Sequence, residues 1–484
     1  MRTWNIVFCP VIALIGFSSV YGESTYERLV FDVTSQKQAI DGFGAFIWPN
    51  DQAIPILFQR LEELNVKYVR VDCGPYWPKV EALPPTDGTR ESFDSYYAEN
   101  FGKAGASLSQ MKEMWTYTQR LGIKNIMTIF HIPLSWEGPG RALKPEHYDD
   151  YAKLWGSTVK FFADHGMSIP LIEISNEPDG NWNYNAPPAE YNIILKKVRA
   201  ELDLRGYQQV GIVAPGRAHI DFGESEAWTD ALDAEAIASL AGFSIHPYEW
   251  GAERNQEGGQ SYLRDHWHGF AKSIATKDPA GQIPIIVTEY STTAETFHGV
   301  VYPSNNPHVK FCASDTIPFA VRLYENTLSL MNCGANVMII WEASDQCWSD
   351  HSWGLIRRPA DGSTARPMFH AMKTLLPYVP VGSRVLAPPE QPKNDIYASA
   401  VIKDERFVIG MANGTLQERS KTLVVAGVDH IRVSGAVMFQ AKAGDSHESF
   451  VSEKTLEVYD GNSIDVTLPM DSTLTIICDV GLSK

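Results

Sequence analysis

Eight short apolar runs recur between residues 42 and 341, each followed by a helix-like segment, and nothing else in this chain restricts its fold as tightly. The runs fall at 42–48, 68–73, 125–131, 169–176, 209–214, 242–246, 283–289 and 336–341. They are brief, rich in β-branched and aromatic residues, and closed by loop-forming residues, so they read as buried strands. Helical spacing of apolar residues covers 52–64, 108–121, 146–165, 188–205, 226–241, 261–276 and 317–332, with a last segment at 365–376. Eight strand–helix units in sequence predict an α/β fold, a closed (β/α)8 TIM barrel over 41–376. An open doubly wound sheet would want a glycine-rich phosphate loop after the first strand, and Gly42-Phe43-Gly44 lacks the third glycine.

Beyond residue 376 the texture changes. Pro377, Pro380, Pro388, Pro389 and Pro392 mark a boundary. Short alternating runs follow at 396–401, 406–411, 422–425, 436–441, 455–459, 464–468 and 472–478, the pattern of an accessory β-sandwich over 377–484. Residues 23–40 hold two more strand-like runs, split near Thr34-Ser35, which we expect to join that sandwich. At the start, Arg2, an apolar stretch over 6–17 and the small residues Ser18, Ser19 and Gly22 read as a signal peptide spanning 1–22. The mature chain is therefore expected to be secreted or periplasmic. No later stretch reaches the length of apolar sequence that a membrane span needs. A net charge of −17 leaves no basic surface for nucleic acid or anionic membrane. Cys73, Cys312, Cys333, Cys347 and Cys478 remain after the signal, compatible with one or two disulfides or with burial as small apolar residues. Asn413-Gly414-Thr415 is a glycosylation sequon.

In a barrel of parallel strands the carboxyl ends form the working face. The predicted ends carry a dense set of polar and aromatic residues. Arg70 and Asp72 stand on the second strand, His131 on the third with Trp136 just beyond, and Asn176 and Glu177 on the fourth. His246 and Tyr248 close the sixth, Glu289 and Tyr290 the seventh, and Trp341 and Glu342 the eighth. Trp48, Trp182 and Trp250 lie on nearby loops or strand ends. Glu177 and Glu289 put two carboxylates on one face, the minimal machinery for glycoside hydrolysis. Tryptophan faces such as Trp341 can stack on sugar rings. Arg70 is read as a site residue, the alternative being a structural ion pair with Asp72 or a glutamate. Other chemistries lack their motifs. Gly105-Ala106-Ser107-Leu108-Ser109 fails as a nucleophile elbow at its last position, and no His-Glu-x-x-His or calcium-binding loop occurs. His266 and His268 fall two apart on a predicted helix and so face apart. No metal and no organic cofactor is expected.

Asn176-Glu177-Pro178 after strand four, Glu289-Tyr290 after strand seven, Arg70 on strand two, His246-Pro247-Tyr248 after strand six and Trp341 on strand eight resemble the clan of retaining (β/α)8 β-glycosidases. The run Ile40-Asp41-Gly42-Phe43-Gly44 and the segment Arg366-Pro367-Met368-Phe369-His370 before the sandwich resemble glycoside hydrolase family 30 within it. This resemblance implies that Glu177 is the general acid/base, Glu289 the nucleophile, and Asn176 a hydrogen-bond partner of the sugar 2-hydroxyl. Arg70, His131, Trp136, His246, Tyr248 and Trp341 are the expected substrate-binding residues. It implies an oligosaccharide or polysaccharide substrate, among β-1,6-glucans, β-1,6-galactans, xylans and small β-glycosides. An acid/base that works near neutral pH wants a raised pKa, which a second carboxylate supplies, whereas the nucleophile must stay ionised among donors. Retention asks for carboxyl groups roughly 5–5.5 Å apart. A noncatalytic carbohydrate-binding protein on the same scaffold and a transglycosylase are the alternatives, and the oligomeric state is not legible in the sequence.

Overall fold

The computed structural model describes residues 27–48, 54–75, 83–102, 106–180, 182–218, 220, 224–248, 260–303, 312–345, 352–391, 395–440, 451–454, 456 and 461–482. The signal sequence, Cys347 and Trp250 lie outside them. In chain order the strands are β1 (Glu27–Asp32), β2 (Gln36–Ile40), β3 (Gly42–Ile47), β4 (Tyr68–Asp72), β5 (Lys124–Thr128), β6 (Leu171–Glu173), β7 (Gly211–Arg217), β8 (Leu240–Ile245), β9 (Ile285–Tyr290), β10 (Thr296–Phe297), β11 (Val300–Val301) and β12 (Val337–Ile340). There follow β13 (Ser383–Leu386), β14 (Tyr397–Lys403), β15 (Arg406–Asn413), β16 (Arg419–Ala426), β17 (Val428–Gln440), β18 (Val451–Glu453), β19 (Ser463–Leu468) and β20 (Ser472–Leu482).

Strands β3 to β9 and β12 close into a parallel barrel, each expected run supplying one strand. Closure is made by β12 against β3, with Ile339 opposite Gly44. A side chain at Gly44 would strike the Tyr68 carbonyl at 2.5 Å, so glycine lets β3 approach β4. Parallel pairing brings every strand's carboxyl end to one face, and a closed sheet leaves no edge to protect. Helices cover the outside. Leu108–Leu121 matches the expected span because both ends are coded locally: Ser107 and Gln110 form a capping box and Gly122 ends the helix in the left-handed region.

Three expectations needed correction. The single helix expected over 226–241 is two, Glu224–Asp230 and Ala234–Ala238, because Asp233 leaves the helix to accept the Ala236 N–H at 3.0 Å. The fourth barrel strand, expected over 169–176, pairs only over Leu171–Glu173. A helix Arg90–Asn100, capped by Thr89, stands between the second and third barrel strands, where no helical segment was expected.

The sandwich forms as expected from both chain ends. Its three-stranded sheet runs β1-β16-β19 and its seven-stranded sheet β18-β17-β20-β15-β14-β13-β2. Thus β1 and β2 enter different sheets: β1 runs parallel to β16, and β2 antiparallel to β13. Leu29, Phe31, Ile409, Leu423, Ile464 and Ile476 are among the side chains packed into its core. The other face of the large sheet packs on the barrel helix Ile317–Cys333, almost every residue of which is buried. Tyr324 of that helix meets Thr475 at 2.7 Å, and Asn332 donates to the Ala398 carbonyl at 2.9 Å. Cys73, Cys312, Cys333 and Cys478 are free thiols, three of them buried, so no disulfide joins the described residues. Asn413 of the sequon is fully buried, and its amide donates to the carbonyls of Gln417, Leu468 and Pro469 at 2.8–2.9 Å. It is a structural plug between turns, closed to a glycosylating enzyme.

Arg366 anchors the loop after β12. Its guanidinium binds both carboxylate oxygens of Asp345 at 2.7 Å, Asp315 at 2.9 Å and the Gly354 carbonyl at 2.8 Å. Arg357 adds a second cation to Asp315 at 2.7 Å. No membrane-length apolar helix occurs among the described residues.

Candidate active site

The charged centre is built around Arg70, which β4 points into the barrel and which has no solvent exposure. Its Nε donates to Glu173 at 2.7 Å, Nη2 to Asn176 Oδ1 at 2.6 Å, and Nη1 to Glu289 Oε1. Glu289 takes a second donor, the Tyr248 hydroxyl, at 3.0 Å. His246 gives Nδ1–H to Glu177 Oε1 at 2.9 Å and Nε2–H to Thr288 Oγ1 at 3.1 Å, and Thr288 passes the chain on to Glu173 Oε1 at 2.7 Å. The Trp182 indole N–H donates to the other Glu177 oxygen, Oε2. One oxygen of Glu177, one of Glu289 and a ring nitrogen of His246 all lie within 4.8 Å of one another. That spacing would also suit a metal, but Arg70 and His246 already face these carboxylates with cationic donors.

The backbone holds this arrangement under local strain. Glu177 sits at φ 48°, a left-handed conformation that costs an L-residue roughly 1–2 kcal/mol. Its N–H on the Gly216 carbonyl, the Gly180 N–H on its own carbonyl, and the Asn183 amide on Asn176 O keep it there. Gly216, at φ 66°, leaves room for Glu173, whose carboxylate oxygen would lie 2.5 Å from any side chain added there.

Burial and pairing move every proton in the cluster. Burial alone would lift Glu173, but Arg70, then His246 and Thr288, hold it down at about 2. Burial would lower His246, yet Glu289, Glu173 and Glu177 push it up to about 10, so it is an imidazolium. Two cations therefore face three carboxylates, and Glu177 and Glu289 bear on one another's charge. Of the two, Glu289 is pushed towards its protonated form. Burial and the charge of Glu177 raise its pKa over the pull of His246 and Arg70, while at Glu177 the His246 and Trp182 donors outweigh burial and lower it. This reverses the sign expected from the sequence, where a neighbouring carboxylate was weighed but the two donors on Glu177 were not.

Trp341 lies in a separate aromatic box with Phe46, Trp48, Phe130 and Tyr248. Phe46 is 4.5 Å from Trp341 and 4.8 Å from Trp48, centroid to centroid, and Trp48 donates to the buried Glu342 at 2.5 Å. The Arg70 guanidinium lies 5.5 Å from Phe46 and 5.6 Å from Phe130, which ties box to charges. Asp72, half-buried at the end of β4, is raised to about 7 by lost solvation, partly offset by the Gly74 and Phe130 N–H groups and Arg70. His131 is partly exposed beside Phe130; burial and then Arg141 lower it to about 4, so it is a neutral ring. Trp136 is a correction: it is 1% exposed, stacked on His147 at 5.3 Å and packed on Phe93, and belongs to the main core. The reading of the sequence missed Glu173 and Thr288, and undervalued Trp182 and Glu342.

No protein-family model matches the sequence, and no curated protein matches it by sequence. Solved structures do resemble the fold, all at low identity. The glycoside hydrolase family 30 endoxylanase from Clostridium papyrosolvens C71 superposes with a TM-score of 0.66 at 17% identity, covering 94% of this chain and 100% of its own. The endo-β1,6-glucanase BT3312 gives 0.61 at 16%, covering 96% and 95%. A family 51 arabinofuranosidase from Xanthomonas axonopodis pv. citri gives 0.63 at 16%, covering 93% and 99%. The barrel with its accessory sandwich is thus a fold shared with family 30 and family 51 glycosidase structures.

Proposed function

We propose that this protein is a retaining β-glycoside hydrolase acting on a β-linked oligosaccharide or polysaccharide. One observation carries the reading: two buried carboxylates, Glu177 and Glu289, whose oxygens approach within 4.8 Å across the mouth of the barrel. That closeness supports the short separation of a double displacement over the wider gap of an inverting pair. Glu289 attacks the anomeric carbon while Glu177 protonates the glycosidic oxygen; the C–O bond breaks and a glycosyl ester forms. Water then enters, gives its proton to Glu177, and displaces Glu289. Arg70 and Tyr248 fix the Glu289 oxygens for attack, and Arg70 on Asn176 Oδ1 leaves the amide Nδ2 to donate to the sugar 2-hydroxyl. The aromatic box supplies an apolar wall for the ring being cleaved.

Support for β-linked glycans comes from the fold shared with the family 30 endoxylanase and the endo-β1,6-glucanase. Residues 1–22 support export, and 41–376 and 377–484 with 23–40 serve as the catalytic and accessory units. The test is reducing-sugar release from xylan, β-1,6-glucan and β-1,6-galactan by wild type beside Glu289→Ala, with proton NMR of the first anomer released. Release abolished in the variant, with the β-anomer first, is the expected result. Activity surviving in Glu289→Ala removes it as nucleophile. Sugar bound but unchanged by wild type means a carbohydrate-binding protein.

A further inference from the structure

Trp182 combines two properties that rarely share one ring. Its N–H is engaged by a catalytic carboxylate, yet the residue is 43% exposed. It does not hang free. Its carbonyl accepts from Arg141 Nη1 at 2.7 Å, Arg141 is paired with Glu137 at 2.8 Å, and the ring lies so close over Gly180 that a side chain there would meet it at 2.4 Å. The turn below is closed by the Ala186 N–H on the Pro178 carbonyl at 2.9 Å. An aromatic face is thus presented to solvent on a fixed loop, beside the acid/base, with its polar edge satisfied.

The two oxygens of Glu177 are not equivalent. Oε1 is held by His246 from inside the barrel, and Oε2 by Trp182 from the solvent side. A glycosidic oxygen arriving from the cleft has to take its proton from Oε2. It must then displace the indole N–H, and the departing sugar comes to lie against the exposed ring. Resting on the glycosidase reading above, we infer that Trp182 is both the stacking platform for the leaving-group sugar and the gate on the general acid. Without a leaving-group sugar its N–H holds Oε2 as an acceptor, the form that has no proton to give. A leaving-group sugar draws the indole off Oε2, which then takes up a proton from water to become the acid, while Arg70 and Tyr248 keep Glu289 placed for attack. Glu177 then gives that proton to the glycosidic oxygen as the C–O electron pair leaves with it. The enzyme would therefore favour substrates that carry a sugar on the leaving side over small aglycones.

The experiment compares wild type, Trp182→Phe and Trp182→Ala on β-1,4-xylotetraose, β-1,6-glucotetraose and the matching 2,4-dinitrophenyl β-glycosides, whose leaving group needs no acid. Trp182→Ala should lose at least about tenfold more kcat/KM on the tetrasaccharide than on the aryl glycoside, the scale of a lost ring-stacking contact together with its proton gate. Trp182→Phe keeps the ring, so KM for the tetrasaccharide should stay within about twofold of wild type. The alkaline limb of its kcat/KM profile should move to higher pH, because Glu177 loses a donor while still facing His246, Arg70, Glu289, Glu173 and Tyr248. Equal losses on both substrates, or an unmoved alkaline limb in Trp182→Phe, would overturn the inference while leaving the glycosidase reading intact. A folded wild type that cleaves none of these probes and none of the three polysaccharides above removes both.

Discussion

Two ion networks are buried at the carboxyl face of this barrel, and their charges add up differently. Behind the eighth strand's loop, Arg366 and Arg357 meet Asp315 and Asp345: two cations, two anions, with fork-like contacts to the carboxylates. Arg366 rises further above its ordinary pKa, since Asp345 and Asp315 outweigh the effect of burial. Asp315 falls, since Arg366, the Cys312 N–H and Arg357 outweigh it there. Arg366 and Asp315 are thus pushed deeper into the charge states they already have. In the mouth, Arg70 and His246 meet Glu173, Glu177 and Glu289, one anion too many, and Glu289 is pushed away from its ionised state. The balanced network holds a loop still. The unbalanced one drives its two carboxylates apart, Glu289 up and Glu177 down. Burial and pairing alone do not separate a reactive cluster from a structural one; the charge count does.

The sharpest way to break that contrast is to remove an anion from each. Glu289→Ala should lower kcat on the natural glycan by roughly 10^4-fold or more, the scale seen when a nucleophile is deleted. Its melting temperature should hold or rise, because the mouth then becomes balanced. Asp345→Ala should do the reverse. Stranding Arg366 in the interior should cost about 3–5 kcal/mol in denaturant unfolding, with near-normal turnover from the protein that stays folded. If Asp345→Ala cost turnover before it cost stability, the division between the networks would fail. Next in size, Glu177→Gln should lose on the order of 10^2–10^4-fold on glycans but far less in forming the glycosyl-enzyme from dinitrophenyl glycosides, read by stopped-flow bursts.

The smallest effect concerns pH. His246 is raised to about 10 from an ordinary 6.5, so its contribution to stability is complete below about 6.5 and is lost as pH rises through 10. Glu173, lowered to about 2, contributes above its ordinary 4.5 and loses that contribution as pH falls through 2. Melting curves between pH 7 and 10 should therefore slope downward in wild type and flatten in His246→Asn. The Asp315–Arg366 network should add nothing to that slope.

What the sequence made legible follows from how local each signal is. Glu177 and Glu289 stood out because each ends an apolar run and opens a loop, a pattern carried within a few residues. The helix Leu108–Leu121 was readable at both ends for the same reason. Glu173 was not, because it lies within the run Leu171-Ile172-Glu173-Ile174 and its partner Arg70 is 103 positions away. Its value exists only once β4 and β6 share a barrel. The sign of the proton balance was lost likewise, since it depends on which oxygen of Glu177 meets His246 and which meets Trp182. Trp136 was misplaced because a strand end fixes where a residue stands and not which way its ring turns. The helix Arg90–Asn100 has few apolar residues, only Phe93, Tyr96 and Tyr97 being buried together with Asn100, so its period is faint.

The opposite destinations of β1 and β2 bear on how such a molecule is made and inherited. Residues 27–40 come off the ribosome early, but their partners in β13 and β16 are synthesised more than 340 residues later. The sandwich is thus the host and the barrel an insertion within it, so that the first folded unit to be started is the last to be finished. A gene fragment encoding the barrel alone would leave Ile317–Cys333 without its apolar cover, and one encoding only the last hundred residues would leave two sheets short of a strand. Recombination that moves the catalytic unit between genes has to carry both flanks, which ties the evolution of the cleft to that of a sheet packed against the barrel's own helix.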